Sequence, residues 1–259
     1  LCGVLDKKSL EKGKKIYFAS DVHLGAPSIK DGRKHEKIFV DWLDSIKTDV
    51  AELYLLGDIF DFWFEYKHVV PRGYSRFLGK ICEFTDSGIP VHFFTGNHDV
   101  WVFDYLPKET GMIVHHQPLK TKLNGKRFYL AHGDGLGPYD KNYNFLKKIF
   151  TNKILQWMFA RLHPNFGVGF ARKWSKQSRL KNENSDEAKF LGEEKEWLML
   201  HARDILEKEH FDYFVFGHRH IALNTKFKEN SHFIYLGDWV NHRSYGVWDG
   251  KKFELKFLS

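Results

Sequence analysis

The 259-residue chain is poor in cysteine: Cys2 and Cys82 are the only two. Cys2 lies in a polar leader and Cys82 on the apolar face of an expected helix, so the expectation is a reducing compartment rather than a disulfide framework. Long apolar runs are also missing. No window approaches the roughly 18 apolar residues of a spanning helix, and residues 1–15, with Lys7, Lys8, Lys12, Lys14 and Lys15, lack the apolar core of a signal peptide. These absences point to a cytoplasmic protein with a loose leader. Repeats and low-complexity tracts are absent too. Acidic residues are outnumbered, 33 Asp and Glu against 40 Lys and Arg, giving a formal charge of +7. That balance implies an anionic partner: nucleic acid, an acidic lipid surface or a phosphorylated small molecule.

Aromatic residues, in contrast, are abundant, with 24 Phe and 8 Trp. An apolar content of 42% supports a substantial core. One domain over 1–259 is the simpler organisation, because the chemistry-bearing stretches are too widely spread to be cut apart.

Five apolar runs each end in Asp, Asn or His. Ile16-Tyr17-Phe18-Ala19 leads to Asp21-Val22-His23, and Leu53-Tyr54-Leu55-Leu56 to Gly57-Asp58-Ile59-Phe60-Asp61. Val91-His92-Phe93-Phe94 leads to Gly96-Asn97-His98-Asp99, Phe128-Tyr129-Leu130 to Ala131-His132-Gly133-Asp134, and Tyr213-Phe214-Val215-Phe216 to Gly217-His218-Arg219-His220. Such runs read as buried strands, and open α/β sheets keep their ligands at the C-terminal strand edge. Asp58 is the centre of the pattern, since one carboxylate there can bridge two metal ions.

Between these runs, Ile38, Phe39, Trp42, Leu43 and Ile46 recur at helical spacing, with His35 expected on the solvated face. A second helix over Tyr74, Phe77, Leu78, Ile81 and Phe84 stops at Ser87-Gly88-Ile89-Pro90. Residues 100–106 suggest a short helix, 112–116 and 121–123 short strands, and Asn124-Gly125 a type I′ hairpin turn. Phe62-Trp63 suit either an apolar wall beside the metals or the core. A helix is expected over 185–209, and strands over 213–216, 232–236, 244–248 and 252–257, the last two joined by Asp249-Gly250.

Residues 138–182 break the alternation. Helical spacing runs over 141–161, and residues 139–182 hold ten basic side chains against Asp140 alone, interleaved with Phe145, Phe150, Trp157, Phe159, Phe166 and Trp174. A basic, aromatic helical segment suits an acyl-chain cap or an interfacial membrane contact, and equally a helical subdomain with a solvated charged face. Lys141, Trp157, Arg161, Arg172, Trp174 and Arg179 are its candidate substrate contacts.

The five blocks, in order, resemble the calcineurin-like metallophosphoesterase superfamily: D-x-H, G-D-x-x-D, G-N-H-[DE], a lone H before Gly, and G-H-x-H. The resemblance implies a four-layer α/β/β/α sandwich with a helical cap insertion. It implies a dinuclear hydrolase in which Asp21, His23, Asp58 and His220 hold one divalent cation and Asp58, Asn97, His132 and His218 the other. The mixture of imidazole, carboxylate and amide favours manganese, iron or zinc over magnesium or calcium, and family habit favours Mn2+. By the same resemblance His98 contacts phosphate or protonates the leaving group, while Asp61 and Asp99 orient ligand imidazoles.

Within the superfamily the chain is most similar to the UDP-2,3-diacylglucosamine hydrolases of lipid A synthesis, on Ser20-Asp21-Val22-His23-Leu24, Leu55 to Asp61, His132-Gly133-Asp134, the helical insertion and Leu236-Gly237-Asp238-Trp239. This implies cleavage of a nucleotide-lipid pyrophosphate to UMP and a lipid 1-phosphate, with peripheral contact to the inner membrane face. One position departs: His98 stands where that family usually has Arg, so a titratable group replaces a permanent charge. The alternatives are a hydrolase of another nucleotide pyrophosphate or phosphodiester, a nuclease, and a non-catalytic scaffold stabilised by metal. No motif for nucleic acid is readable, and no ligand position is lost.

Overall fold

The computed structural model describes residues 5–6, 9–139, 141–170 and 189–258. Its apolar runs form two six-stranded sheets. The first has the order β1 (Leu5–Asp6), β6 (Leu119–Leu123), β7 (Lys126–Ala131), β8 (Tyr213–Phe216), β10 (His232–Leu236), β9 (Ala222–Lys226). The second has the order β12 (Phe253–Phe257), β11 (Ser244–Trp248), β2 (Lys15–Ala19), β3 (Val50–Leu56), β4 (Val91–Phe94), β5 (Ile113–His115). Within each sheet the central strands are parallel: β2, β3 and β4 in one, β7, β8 and β10 in the other. The C-terminal ends of a parallel set share one edge, so every ligand-bearing loop leaves its sheet on that side.

Strands covered on both faces are predominantly apolar, and these are so toward their C-terminal ends, with polar residues such as Lys15, Glu52 and Lys126 nearer their starts. In β2, Ile16 and Phe18 point between the sheets while Tyr17 and Ala19 face the helices outside. Phe18 stacks on Tyr54 at 5.2 Å and meets Phe128 of the opposite sheet at 6.3 Å. Outside the second sheet lie α1 (Gly32–Ile46), α2 (Ser75–Asp86) and α3 (Tyr105–Thr110), and outside the first lies α7 (Trp197–Leu206). These are the four layers of the α/β/β/α sandwich.

Several local expectations are corrected. His35 is buried rather than solvated, and its Nε2 donates to the Val22 carbonyl at 2.7 Å. The expected helix at 100–106 forms later, as α3, because the Glu65 carboxylate accepts the backbone N–H groups of Phe103, Asp104, Tyr105 and Leu106 and fixes where the helix begins. Of the helix expected over 185–209, residues 185–188 lie outside the described residues and 189–196 are not helical; the helix runs over Trp197–Leu206, after a turn at Gly192 with φ +89°. The single helix over 141–161 is two, α4 (Lys141–Phe150) and α5 (Lys153–Phe159), because Asn152 turns to accept Ile154 N and Leu155 N as an N-cap. A further helical stretch, α6, occupies 164–170 up to the edge of the described residues. Strands β1 and β9 have no counterpart in the sequence reading. The Asn124-Gly125 turn is as expected, with φ of 48° and 78°. Trp63 is fully buried in the core, and Phe64 forms the floor under α5, 4.8 Å from the Phe159 ring.

Candidate metal centre

All seven expected ligands lie in the loops that leave the common edge. Asp21 and His23 follow β2, Asp58 follows β3, Asn97 follows β4, His132 follows β7, and His218 and His220 follow β8. Five of these residues, Asp21, His23, Asp58, His218 and His220, have φ between 51° and 65°. Left-handed backbone at a non-glycine residue costs about 1–3 kcal/mol and persists where the surroundings over-determine it, characteristically at functional sites. Glycines give the loops room to converge. A Cβ on Gly57 would lie 2.6 Å from the His132 ring, and one on Gly96 would lie 2.2 Å from Asp58 Oδ1.

Two groups of ligand atoms result. In the first, His23 Nε2 is 3.1 Å from His220 Nε2, and Asp21 Oδ1 is 3.3 Å from His220 Nε2 and 3.8 Å from His23 Nε2. In the second, Asn97 Oδ1 is 2.9 Å from His218 Nδ1 and 3.2 Å from His132 Nε2, which is 3.4 Å from Asp58 Oδ2. Atoms sharing one cation at bond lengths of about 2.1 Å lie roughly 3.0–3.4 Å apart, so the spacing fits coordination.

The donor chemistry fits as well. His132 Nδ1 donates to the Leu56 carbonyl at 2.7 Å, so in the neutral ring Nε2 turns a lone pair toward the Asn97 and Asp58 oxygens. Those lone pairs repel unless positive charge stands between them. Asp21 Oδ1 is buried without a hydrogen-bond partner among the described residues, and the ion-pair partners of Asp21 and Asp58 there are all histidines. The electrostatics express the same demand. Burial pushes the Asp58 carboxyl up, but the charges of His132, His98 and His23 together outweigh burial and hold it well below the carboxylate range. Burial disfavours the His132 imidazolium, yet Asp58 lifts its pKa to about 10. His218 is driven down to about 3 by burial and by His132. A proton or a metal ion answers this demand, and the donor set suits a metal ion.

Around the ligands stand positioning groups. Asp61 Oδ1 lies 3.8 Å from both His23 Nδ1 and His98 Nδ1. Asp99 works differently from the expected imidazole orienter. It accepts backbone N–H groups from Gly96, Asp58, Ile59 and Phe60, stapling two ligand loops together, and burial followed by the nearby Asp58 charge raises its pKa to about 7. His98 donates from Nδ1 to the Asp61 carbonyl at 2.9 Å, leaving Nε2 4.0 Å from Asp58 Oδ2.

Two contributors lie outside the five blocks: His35, expected on a solvated face, and Asp238, which the sequence marks only as a carboxylate after a strand. His35 holds the carbonyl of Val22, midway between Asp21 and His23; its spacing from Phe39, Trp42 and Ile46 placed it on the apolar stripe. Fully buried Asp238 lies 3.6 Å from His220 Nδ1 and orients that ring. Its signal was the Leu236-Gly237-Asp238 strand ending, a repeat of Leu56-Gly57-Asp58.

Beside the centre, α4 rests on the loop after His132. Lys147 Nζ donates to Asp134 Oδ2 at 2.8 Å, and the Tyr143 ring lies 6.3 Å from His218. Trp157 and Arg161 are neighbours on α5 and the turn after it, the guanidinium 4.4 Å from the indole centroid. The side chain of Lys141, and Arg172, Trp174 and Arg179 altogether, lie outside the described residues.

The profile of the calcineurin-like phosphoesterase family matches residues 14–222, most of the chain and all five blocks. The chain belongs to that family. As a calcineurin-like phosphoesterase it is a metal-dependent hydrolase, and Asp21, His23 and His220, like Asp58, His132 and His218, are spaced so that each set could hold a metal ion. It is 39% identical to a UDP-2,3-diacylglucosamine hydrolase of Porphyromonas gingivalis over 94% of this chain and 97% of that protein. It is 28% identical to one of Histophilus somni over 87% of this chain and 92% of that one. Among solved structures, a dimetal phosphatase from Danio rerio aligns over 95% of this chain and 96% of its own, with 12% identity and a TM-score of 0.47.

Proposed function

We propose that this phosphoesterase hydrolyses the pyrophosphate of UDP-2,3-diacylglucosamine to UMP and 2,3-diacylglucosamine 1-phosphate, with Mn2+ as the resident metal. The observation that carries the reading is the juxtaposition of the ligand cluster with an exposed, cationic and apolar helical segment. One ion would be held by Asp21, His23, Asp58 and His220, the other by Asp58, Asn97, His132 and His218. Such cations polarise phosphoryl oxygens and acidify water. His98, whose Nδ1 is committed to the Asp61 carbonyl, holds Nε2 4.0 Å from Asp58 Oδ2, where an N–H could donate to a phosphate oxygen as negative charge develops.

In this reading 1–259 is one domain and 138–182 its cap. Phe145, Ile154, Trp157 and Phe166 are each more than half exposed, alongside the cations Lys148, Lys153 and Arg161. Isolated exposed apolar residues are ordinary, but a contiguous group of large ones marks a binding surface. Acyl chains would lie on the apolar side chains while the cations meet phosphate, of the substrate or of an anionic membrane surface. No helix among the described residues is long and apolar enough to cross a membrane. From the exposed cationic and apolar side chains together with the nucleotide-lipid substrate of this reading, we place the enzyme peripherally, on the inner face of the cytoplasmic membrane. The substrate in the relatives' names supports the same reading.

The test is incubation of the Mn2+-loaded protein with UDP-2,3-diacylglucosamine, scoring UMP. Release of UMP from this lipid and not from UDP-glucose is the expected result. Cleavage of both at equal rates would favour a second reading, hydrolysis of nucleotide pyrophosphates generally, which rests on His98 standing where the lipid A hydrolases usually have Arg.

A further inference from the structure

Arg219 lies between two ligands, His218 and His220, yet its side chain serves neither the metals nor the cleft. It is nearly buried and forms a fork with the fully buried Glu196: Nε donates to Oε2 at 3.2 Å and Nη2 to Oε1 at 3.1 Å. Nη2 also reaches the Lys189 carbonyl at 3.2 Å. The Glu196 carboxylate is further fixed by the Tyr235 hydroxyl at 2.9 Å and by Leu191 N at 3.1 Å. Glu196 is the N-cap residue of α7, whose first residue, Trp197, meets the His218 ring edge-on at 5.8 Å.

The turn at 217–220 needs such an anchor. His218 and His220 both hold left-handed backbone, at φ 65° and 51°. Backbone hydrogen bonds secure the first half of the turn: Gly217 N donates to His132 O at 2.9 Å, His218 N to Asp21 Oδ2 at 2.9 Å and Arg219 N to Gly217 O at 2.7 Å. In the second half, Asp238 and Asp21 face the His220 ring, and the Arg219 side chain is gripped by a carboxylate belonging to another element. A two-pronged guanidinium–carboxylate contact fixes direction as well as distance, which an ammonium cannot do.

We propose that Glu196 and Arg219 form a positioning clamp that presets His218 and His220 for metal binding, joining the two cation sites to the start of α7. The inference rests on the reading that these histidines hold the cations. Neither clamp residue touches substrate or metal; both act through the turn.

The test measures Mn2+ dissociation constants by electron paramagnetic resonance, without substrate, for wild type, Arg219→Gln, Arg219→Lys and Glu196→Gln. Both Gln variants are expected to bind Mn2+ about 10–100-fold more weakly, the usual effect of removing a group behind a ligand. Arg219→Lys, which keeps the charge and loses the fork, is expected to fall between them and wild type. Turnover of bis-p-nitrophenyl phosphate should then require correspondingly more Mn2+, with KM for the diester unchanged. Wild-type Mn2+ affinity in folded Arg219→Gln and Glu196→Gln would overturn the clamp. Should Arg219→Gln fail to fold, Glu196→Gln and Arg219→Lys decide by the same criterion. Because affinity is read without substrate, failure of the wild type to cleave the UDP-lipid sinks the substrate reading and leaves this measurement decisive for the clamp.

Discussion

At the scale of single residues, the centre is a collection of carboxylates and imidazoles whose lone pairs face one another, and removal of one member has different consequences at different positions. Asp58 is flanked by histidines of both ligand groups, so we expect Asp58→Ala to lose both metals and turnover together. Elemental analysis checks this, and two ions retained per chain would refute the bridge. His98 is anchored to a carbonyl and belongs to neither ligand set. His98→Ala is therefore expected to keep both metals and lose about 10²–10⁴ in turnover, the usual contribution of a general acid or base. An unchanged kcat would remove His98 from the chemistry. The ligands were legible at this scale because each lies within a few residues of an apolar run. The roles of His35 and Asp238 were not, although Asp238 stood out as a strand-ending carboxylate, since what they orient lies elsewhere: His35 meets a carbonyl in the preceding loop, and Asp238 meets His220 from another strand end.

At the scale of elements, the cap is where sequence and structure part most. Periodicity reads 141–161 as one helix, but the side chain of Asn152 competes for the backbone and divides it. The break turns α5 back over the aromatic floor of Phe64 and Trp101, whose Nε1 donates to the Phe150 carbonyl at 2.7 Å. Trp157 and Ile154 are left outward. Replacing both with Asp should therefore leave stability within about 0.5 kcal/mol, as is usual for exposed positions. The same change should abolish cleavage of the diacylated substrate and spare bis-p-nitrophenyl phosphate. Parallel kinetics on the two substrates checks this, and equal loss on both would make the segment structural.

At the scale of the whole molecule, convergence of the loops after β2, β3, β4 and β10 places Asp21, Asp58, Asp61, Asp99 and Asp238 in one buried region. Like charges at this density oppose folding unless cations enter, so Mn2+ is expected to stabilise the chain by mass action. At a free concentration 100 times Kd the gain is about 2.7 kcal/mol. Urea unfolding with and without chelator measures it; an unfolding midpoint independent of Mn2+ would count against cation binding by the native state.

The sequence by itself determined the ligand-bearing strands, their largely apolar character, and the identity of the side chains at their ends, because these depend on neighbours a few residues away. Tertiary structure alone decided that two sheets present those ends on the same side, that Glu196 reaches Arg219, and that Ile154 and Trp157 of α5 stay exposed. Those outcomes depend on contacts between residues far apart in the chain, and no local pattern carries that information.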